Sequence, residues 1–309
     1  MTDVLPAGLS TEEFSSDIRP QDDLYRHVNG AWLERTEIPG DKARWGSFHL
    51  QAEKDVRTII EESQDADAGT LERKIGDLFT SFMDTERIDA AGIEPLRATL
   101  AEIDAIDGIP ALLAVAGAYE RDGRAHLIGL YIDGDPGDPE RYVPVLVQSG
   151  LSLPDESYYR LDNFADTRAA YRAHLERLLG LAGVADAAGD AERAFALETE
   201  IASHHWDNVA SRDAVKTYNL KAWDDFQALI GVDLAPWRDG VGPTNPDAFA
   251  EVVVSQPSAF EGLGALFTAE RLDDWKAWLR AQVVHAAAPF LTDDIVQENF
   301  SFYGTELTG

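Results

Sequence analysis

The chain of 309 residues contains no cysteine. Disulfide bonds, thiolate nucleophiles and zinc sites built on cysteine are therefore excluded. The sequence also lacks any apolar run close to the roughly 20 residues that a membrane-spanning helix needs. Its first residues, MTDVLPAGLSTEEFSSDIRP, carry neither the basic nor the apolar region of a secretory signal. Together these absences favour an intracellular protein, and we expect a cytoplasmic location.

The common sequence signatures of an active site are also missing. None of the seven histidines stands in a His-Glu-x-x-His motif, which places two zinc ligands and a general base on one helix. No Gly-x-Ser-x-Gly elbow and no phosphate-binding glycine loop is present. Glu200 and His204 are four residues apart, with His205 beside them, and share the spacing of a metal-ligating pair. Because such acid–base pairs are common on helix surfaces, no catalytic residue and no metal ligand is assigned in this chain.

Positive charge is scarce, because 26 Lys and Arg residues oppose 56 Asp and Glu residues. The formal net charge of -30 at pH 7 disfavours contact with nucleic acid phosphates and with anionic lipid. Adjacent acidic residues recur along the chain, but at this acid content they are expected by chance on a solvated surface. We therefore expect neither a nucleic acid nor a membrane as a partner.

Apolar residues recur at helical spacing through most of the chain, which predicts a mainly α fold. Residues 125–133 and 141–150 read as strands and flank turn residues, so they predict one β-hairpin. Pro144 cannot donate a ladder hydrogen bond, and we expect the second strand to lie at an edge or to be bulged there. The apolar run 250–257 fits either a strand or a connector. Residues 1–21 are polar and predict an amino-terminal arm.

One stretch near the amino terminus, DDLYRHVNGAWLERTEIPGDKARWGSF, is dense in turn residues, aromatic rings and cations. It resembles the amino-terminal signature of the neprilysin-type zinc metallopeptidases, including the Val-Asn-Gly-x-Trp turn, Ile-Pro, and Arg-aromatic-Gly-x-Phe. Four later segments resemble further motifs of that family, in the family's order. They are KIGDLFTSFMD (74–84), VQSGLSLPDESYY (147–159), SRDAVKTYNL (211–220) and FSFYGTELTG (300–309). Together the five motifs span residues 22–309.

The resemblance implies the amino-terminal half of a zinc-dependent endopeptidase or oligopeptidase that cleaves short peptides. In the family the His-Glu-x-x-His helix, the third zinc ligand and the late catalytic histidine lie in the carboxy-terminal half, which this sequence does not contain. Zinc is therefore expected in the complete enzyme with its ligands outside this chain, and the isolated chain is expected to be inactive. The expected partners are short peptide substrates and the carboxy-terminal catalytic half.

The resemblance also implies roles for parts of the chain. Residues 22–309 would form a helical lid domain, with 22–50 and about 125–159, including the hairpin, contacting the catalytic domain. By position in the family motif, Arg44 faces the primed side of the peptide cleft and Phe48 walls it. The arginine fork suits a substrate carboxylate, although a domain-bridging ion pair is an equal alternative. Mammalian members carry a second arginine where this chain has Ala52, so recognition of a free carboxy terminus is not implied.

Two other interpretations remain open. The chain is a stand-alone, non-catalytic peptide-binding protein, or it is one chain of a two-chain peptidase whose partner carries the zinc site. A peptidase portion predicts a sizeable exposed apolar surface where the catalytic half docks, which a stand-alone protein would have replaced with polar residues. The missing cysteines and membrane segment set the chain apart from extracellular mammalian members and favour a bacterial protein.

Overall fold

The computed structural model describes residues 11–40, 42 and 44–308, without the side chains of 47–49, 51 and 246. The chain divides into two compact units, residues 1–80 and 81–309. Helices dominate the described residues and a small sheet accompanies them, so the predicted mainly α fold class is confirmed. None of the described helices combines the length and the apolarity needed to cross a membrane.

The first unit contains α1 (Leu24–Arg35), α2 (Ser47–Ser63) and most of α3 (Leu71–Met83). α1 begins where the Asp23 carboxylate accepts a hydrogen bond from the Arg26 backbone N–H at 2.9 Å, a standard amino-terminal cap. The predicted arm falls partly on residues 1–10, which lie outside the described residues. Its later part contacts α1, since the rings of Phe14 and His27 lie 5.3 Å apart and Glu13 pairs with Arg35.

α3 begins at a threonine cap. The Thr70 hydroxyl accepts a hydrogen bond from the Arg73 backbone N–H at 3.1 Å, which satisfies one of the free donors of the first turn. Gly76 lies against the end of α2, where a Cβ would stand 2.3 Å from the Ser63 carbonyl oxygen. Glycine is therefore required at this helix–helix contact.

The second unit holds the remaining helices and the core. The helices are α4 (Thr85–Ala91), α5 (Glu94–Asp104), α6 (Ile109–Arg121), α7 (Ser157–Arg160), α8 (Ala165–Leu181), α9 (Ala187–His204), α10 (Trp223–Ile230), α11 (Ala235–Val241), α12 (Pro257–Ala265), α13 (Leu272–Ala287) and α14 (Asp293–Asn299). A π-helical segment, Phe300–Glu306, follows α14. α13 packs against α9, α8, α6 and α5 and buries Trp275 and Trp278 completely. Large buried rings of this kind contribute much of a core's stability.

Four short strands form one sheet in the order β1-β2-β4-β3. The strands are β1 (Gly129–Asp135), β2 (Asp138–Val147), β3 (Leu220–Ala222) and β4 (Glu251–Val254). β1 and β2 form the predicted antiparallel hairpin, and the run 250–257 supplies β4, which pairs parallel to β2. The hairpin is therefore half of a larger sheet.

The expectation that Pro144 marks an edge or a bulge is wrong. β2 is an interior strand, and the register shift of the hairpin lies at Gly134 and Asp135. Pro144 is tolerated because β4 pairs with β2 only at Val145 and Leu146, so no ladder bond is required of it on that side.

Candidate functional site

The two residues assigned to the substrate cleft lie in the first unit. Arg44 has an exposed side chain in the segment before α2, whereas the side chain of Phe48 lies outside the described residues. Their assignment to a peptide cleft stays a prediction.

The residues with metal-ligand spacing make structural contacts instead. Glu200 Oε2 lies 2.6 Å from Arg271, and His205 Nε2 lies 3.1 Å from the Ser149 carbonyl oxygen. Burial lowers the pKa of His205 to about 4, so its ring is neutral and donates through Nε2 at neutral pH. No group of three or more His, Asp or Glu side chains is arranged to hold a metal among the described residues. These residues do not fit a zinc ion, which needs three or four converging ligands.

A buried carboxyl group, Glu198 on α9, organises the motif at residues 147–159. Its side chain is fully buried and accepts hydrogen bonds from Ser152 Oγ at 2.6 Å, Tyr159 OH at 2.7 Å and Tyr171 OH at 2.9 Å. The Gln282 amide lies 3.3 Å from the same carboxylate. Burial raises the pKa of Glu198 to about 7, and the hydrogen bonds from Ser152 and the two tyrosines oppose that rise.

Other residues of the motif at 147–159 are also fixed by hydrogen bonds to the helical core or within the motif. The Gln148 side-chain amide pairs with both backbone groups of Trp206, at 2.8 Å and 2.9 Å. The carbonyl of Gly150, a residue with φ of +94° that favours glycine, accepts a hydrogen bond from Trp278 Nε1 at 3.1 Å. The Leu153 N–H donates to the Tyr159 hydroxyl at 3.1 Å. Residues 148–159 therefore form a fixed connection between β2 and the helical core.

The last motif, of which residues 300–308 are described, also packs on the core. The Phe302 ring stacks on His174 of α8 with centroids 4.8 Å apart, and the Tyr303 ring lies 4.4 Å from His285 of α13. His174 is buried and contacts Glu298 Oε1 through Nδ1 at 2.9 Å, and burial lowers its pKa. The aromatic run is thereby joined to two of the central helices.

The fold is therefore a set of helices that pack around the motif at 147–159 and carry a small four-stranded sheet. The same fold occurs in solved structures of zinc metalloproteases. The zinc metalloprotease Zmp1 of Mycobacterium tuberculosis, solved with an inhibitor, superposes on 97% of this chain with a TM-score of 0.87 and 40% identity. The chain belongs to peptidase family M13, whose amino-terminal profile matches residues 20–309.

Two relatives are similar to this chain in sequence. Endothelin-converting enzyme-like 1 of Mus musculus is 26% identical over 72% of this chain, and neutral endopeptidase of Lactococcus lactis subsp. cremoris is 23% identical over 90%. This chain covers 31% and 45% of those two proteins and 47% of the Zmp1 chain. It therefore spans about half, or less, of the length of the relatives that it matches.

Proposed function

We propose that this chain forms the lid and part of the substrate cleft of a zinc-dependent endopeptidase or oligopeptidase that cleaves short peptides. The zinc ligands come from the portion of such peptidases that this sequence does not include. Membership of family M13 across residues 20–309 supports the proposal. The described residues offer no zinc-ligand cluster, so no catalytic step is assigned to this chain.

The exposed face of α3 carries the proposal. Leu71, Ile75 and Phe82 follow one another at helical spacing, and Leu71 and Phe82 expose 70% and 48% of their surface. Apolar surface that is exposed to this extent favours a further protein surface that covers it. We propose that the catalytic half covers it, since the M13 relatives are about twice as long as this chain. The segments 22–50 and about 125–159 would contact the same half.

The same face argues against a stand-alone peptide-binding protein, in which these positions would be polar. A two-chain peptidase shares the exposed face, and its partner would be a separate polypeptide with the zinc site. The two arrangements differ only in whether the catalytic half is covalently continuous with this chain.

Zinc content and peptide cleavage test the proposal directly. The purified chain alone is expected to hold no stoichiometric zinc and to leave a short quenched-fluorescent peptide intact. After addition of the carboxy-terminal half of an M13 peptidase, we expect zinc uptake and chelator-sensitive cleavage. Stoichiometric zinc together with cleavage by the chain alone would contradict the proposal.

Replacing Arg44 with alanine in the reconstituted enzyme is expected to raise KM about tenfold for peptides with a carboxylate on the primed side. Turnover should change less, because the lost interaction binds the substrate and not the reacting bond. Arg57→Ala is the matched control, since Arg57 is an exposed arginine paired with Glu61 on α2. A loss of stability without a change in KM would instead indicate a domain-bridging ion pair.

A further inference from the structure

A cavity of about 430 Å³ lies beside β1, which is an edge strand of the sheet. Most of its lining is apolar and comes from β1 and from the segment after α11. Lining residues include Leu130, Ile132, Val241, Pro243, Thr244 and Phe249. The peptidase proposal gives this cavity no role.

One carboxyl group, Glu120, belongs to this apolar lining. The side chain is only 4% exposed, and its Oε1 lies 2.8 Å from His126 Nδ1. Its Oε2 is buried and has no hydrogen-bond partner among the described residues. Burial raises the pKa of Glu120, and the hydrogen bond with His126 opposes that rise. The backbone N–H groups of Ile128 and Leu127 add a smaller opposing effect, although neither makes a hydrogen bond of ordinary geometry with Oε2.

The position of Glu120 on its helix also disfavours a negative charge on its carboxyl group. The residue lies in the last turn of α6, where the helix dipole disfavours a negative charge. A buried acceptor without a partner typically costs free energy that a bound donor can recover. The His126 side chain that pairs with Glu120 is 57% exposed and also lines the cavity.

The chemistry of the lining selects the ligand. Among the described residues, Glu120 is the one carboxylate of the lining and offers too few oxygens for Ca²⁺ or Mg²⁺, which take about six or more. Arg121 also lines the cavity, but its guanidinium donates to Asp122 and to the Gly240 carbonyl. Glu120 is therefore the charged group there that lacks a full set of partners in the described part of the chain. A protonated amine with an apolar body satisfies both features, because its ammonium donates to the carboxylate and its body fills the apolar lining.

We infer that this cavity, with Glu120 as its acceptor, is a binding site for apolar primary amines. The amino-terminal residue of an apolar peptide and a free small amine share this chemistry. The inference does not depend on the peptidase function, because Glu120, His126 and the other lining residues all belong to this chain.

Binding of phenethylammonium to the complete chain at neutral pH, followed by calorimetry and by NMR, tests the site. We expect binding with a shift of the His126 ring signals, and at least about tenfold weaker binding of the neutral analogue phenethyl alcohol. Glu120→Gln is expected to weaken phenethylammonium binding to a similar extent. Glu140→Gln, an exposed acid on β2 outside the cavity, is the matched control and should bind normally.

A second variant keeps the test valid if the Glu120→Gln variant fails to fold. Thr244 is exposed and lines the cavity, so Thr244→Trp should block binding and leave the core intact. Absence of binding to the natural chain, equal affinity for amine and alcohol, or unchanged affinity in both cavity variants would overturn the inference. Tighter binding of a leucine-initiated peptide that is lost on acetylation would identify peptide amino termini as the ligand. Equal binding of the acetylated peptide would contradict recognition of the amine.

Discussion

Replacing Glu198 with alanine is expected to lower the free energy of unfolding by about 3–5 kcal/mol. The change removes the acceptor for the hydroxyls of Ser152, Tyr159 and Tyr171 and leaves a cavity at a fully buried position. Urea unfolding followed by circular dichroism would measure the loss. Glu200→Ala is the matched control on the same helix, because Glu200 is part-exposed and pairs only at the surface with Arg271.

The same carboxyl group should give the fold a specific pH dependence. Burial raises the pKa of Glu198 from 4.5 to about 7. A raised pKa means that the folded chain favours the protonated form, so this contribution to stability is complete below pH 4.5 and is lost as pH rises through about 7. Its size is about 3 kcal/mol, at 1.36 kcal/mol for each pKa unit.

Comparison with Glu198→Gln isolates that contribution. Glutamine keeps the shape and cannot ionise, although its amide nitrogen replaces one of the two acceptor oxygens. The difference in stability between the variant and the natural chain should therefore shift in favour of the variant as pH rises from 5 to 8. Denaturant midpoints measured across this range would show the shift. A difference between the two chains that stays constant with pH would mean that Glu198 does not titrate there.

Local patterns were sufficient for some of the helices, but the turn expected at Val-Asn-Gly-x-Trp is wrong, because these residues lie inside α1. The threonine cap of α3 and the buried face of α8, with Tyr171, Leu175, Leu178 and Leu179, follow from spacing within one or two turns. The sheet was predicted only in part, because β2 pairs with β4 through Val145 and Val253, which no local pattern connects. The wrong expectation for Pro144 has the same origin.

The buried acids were missed because each is one of 56 acidic residues. A signal for Glu198 was nevertheless present, since Ala194, Ile201 and Ala202 stand one turn away and place it on the apolar face of α9. Glu120 follows Ala116 by four residues in the same way. An acidic residue at helical spacing among apolar residues therefore indicates a buried carboxyl group. Its hydrogen-bond partners lie on other elements and can be identified only from the structure. The family motif at 147–159 was recognised by resemblance, and the hydrogen bond of Tyr159 to Glu198 gives that tyrosine a structural role.

Replacing Gly117 with alanine is expected to lower the free energy of unfolding by about 3 kcal/mol or to prevent folding. α6 and α11 cross closely at this glycine, where a Cβ would stand 2.0 Å from the Trp237 carbonyl oxygen. Backbone cannot move aside as a flexible side chain can, so the helices must separate and loosen the packing of the buried Trp237 ring. Thermal and urea unfolding would measure the loss. Gly180→Ala on α8 is the control, because its Cβ would meet only Ala187 at 3.9 Å, and alanine favours a helix.

The partner glycine on α11 tests whether the two helices respond as one unit. A Cβ at Gly240 would stand 2.3 Å from the Ala114 carbonyl oxygen of α6, so Gly240→Ala strains the same crossing from the other side. Once one alanine has forced the helices apart, the second has more room, and the double variant should cost less than the sum of the two single changes. Strict additivity would instead mean that each clash is relieved locally, and that the spacing of α6 and α11 is not set by these glycines.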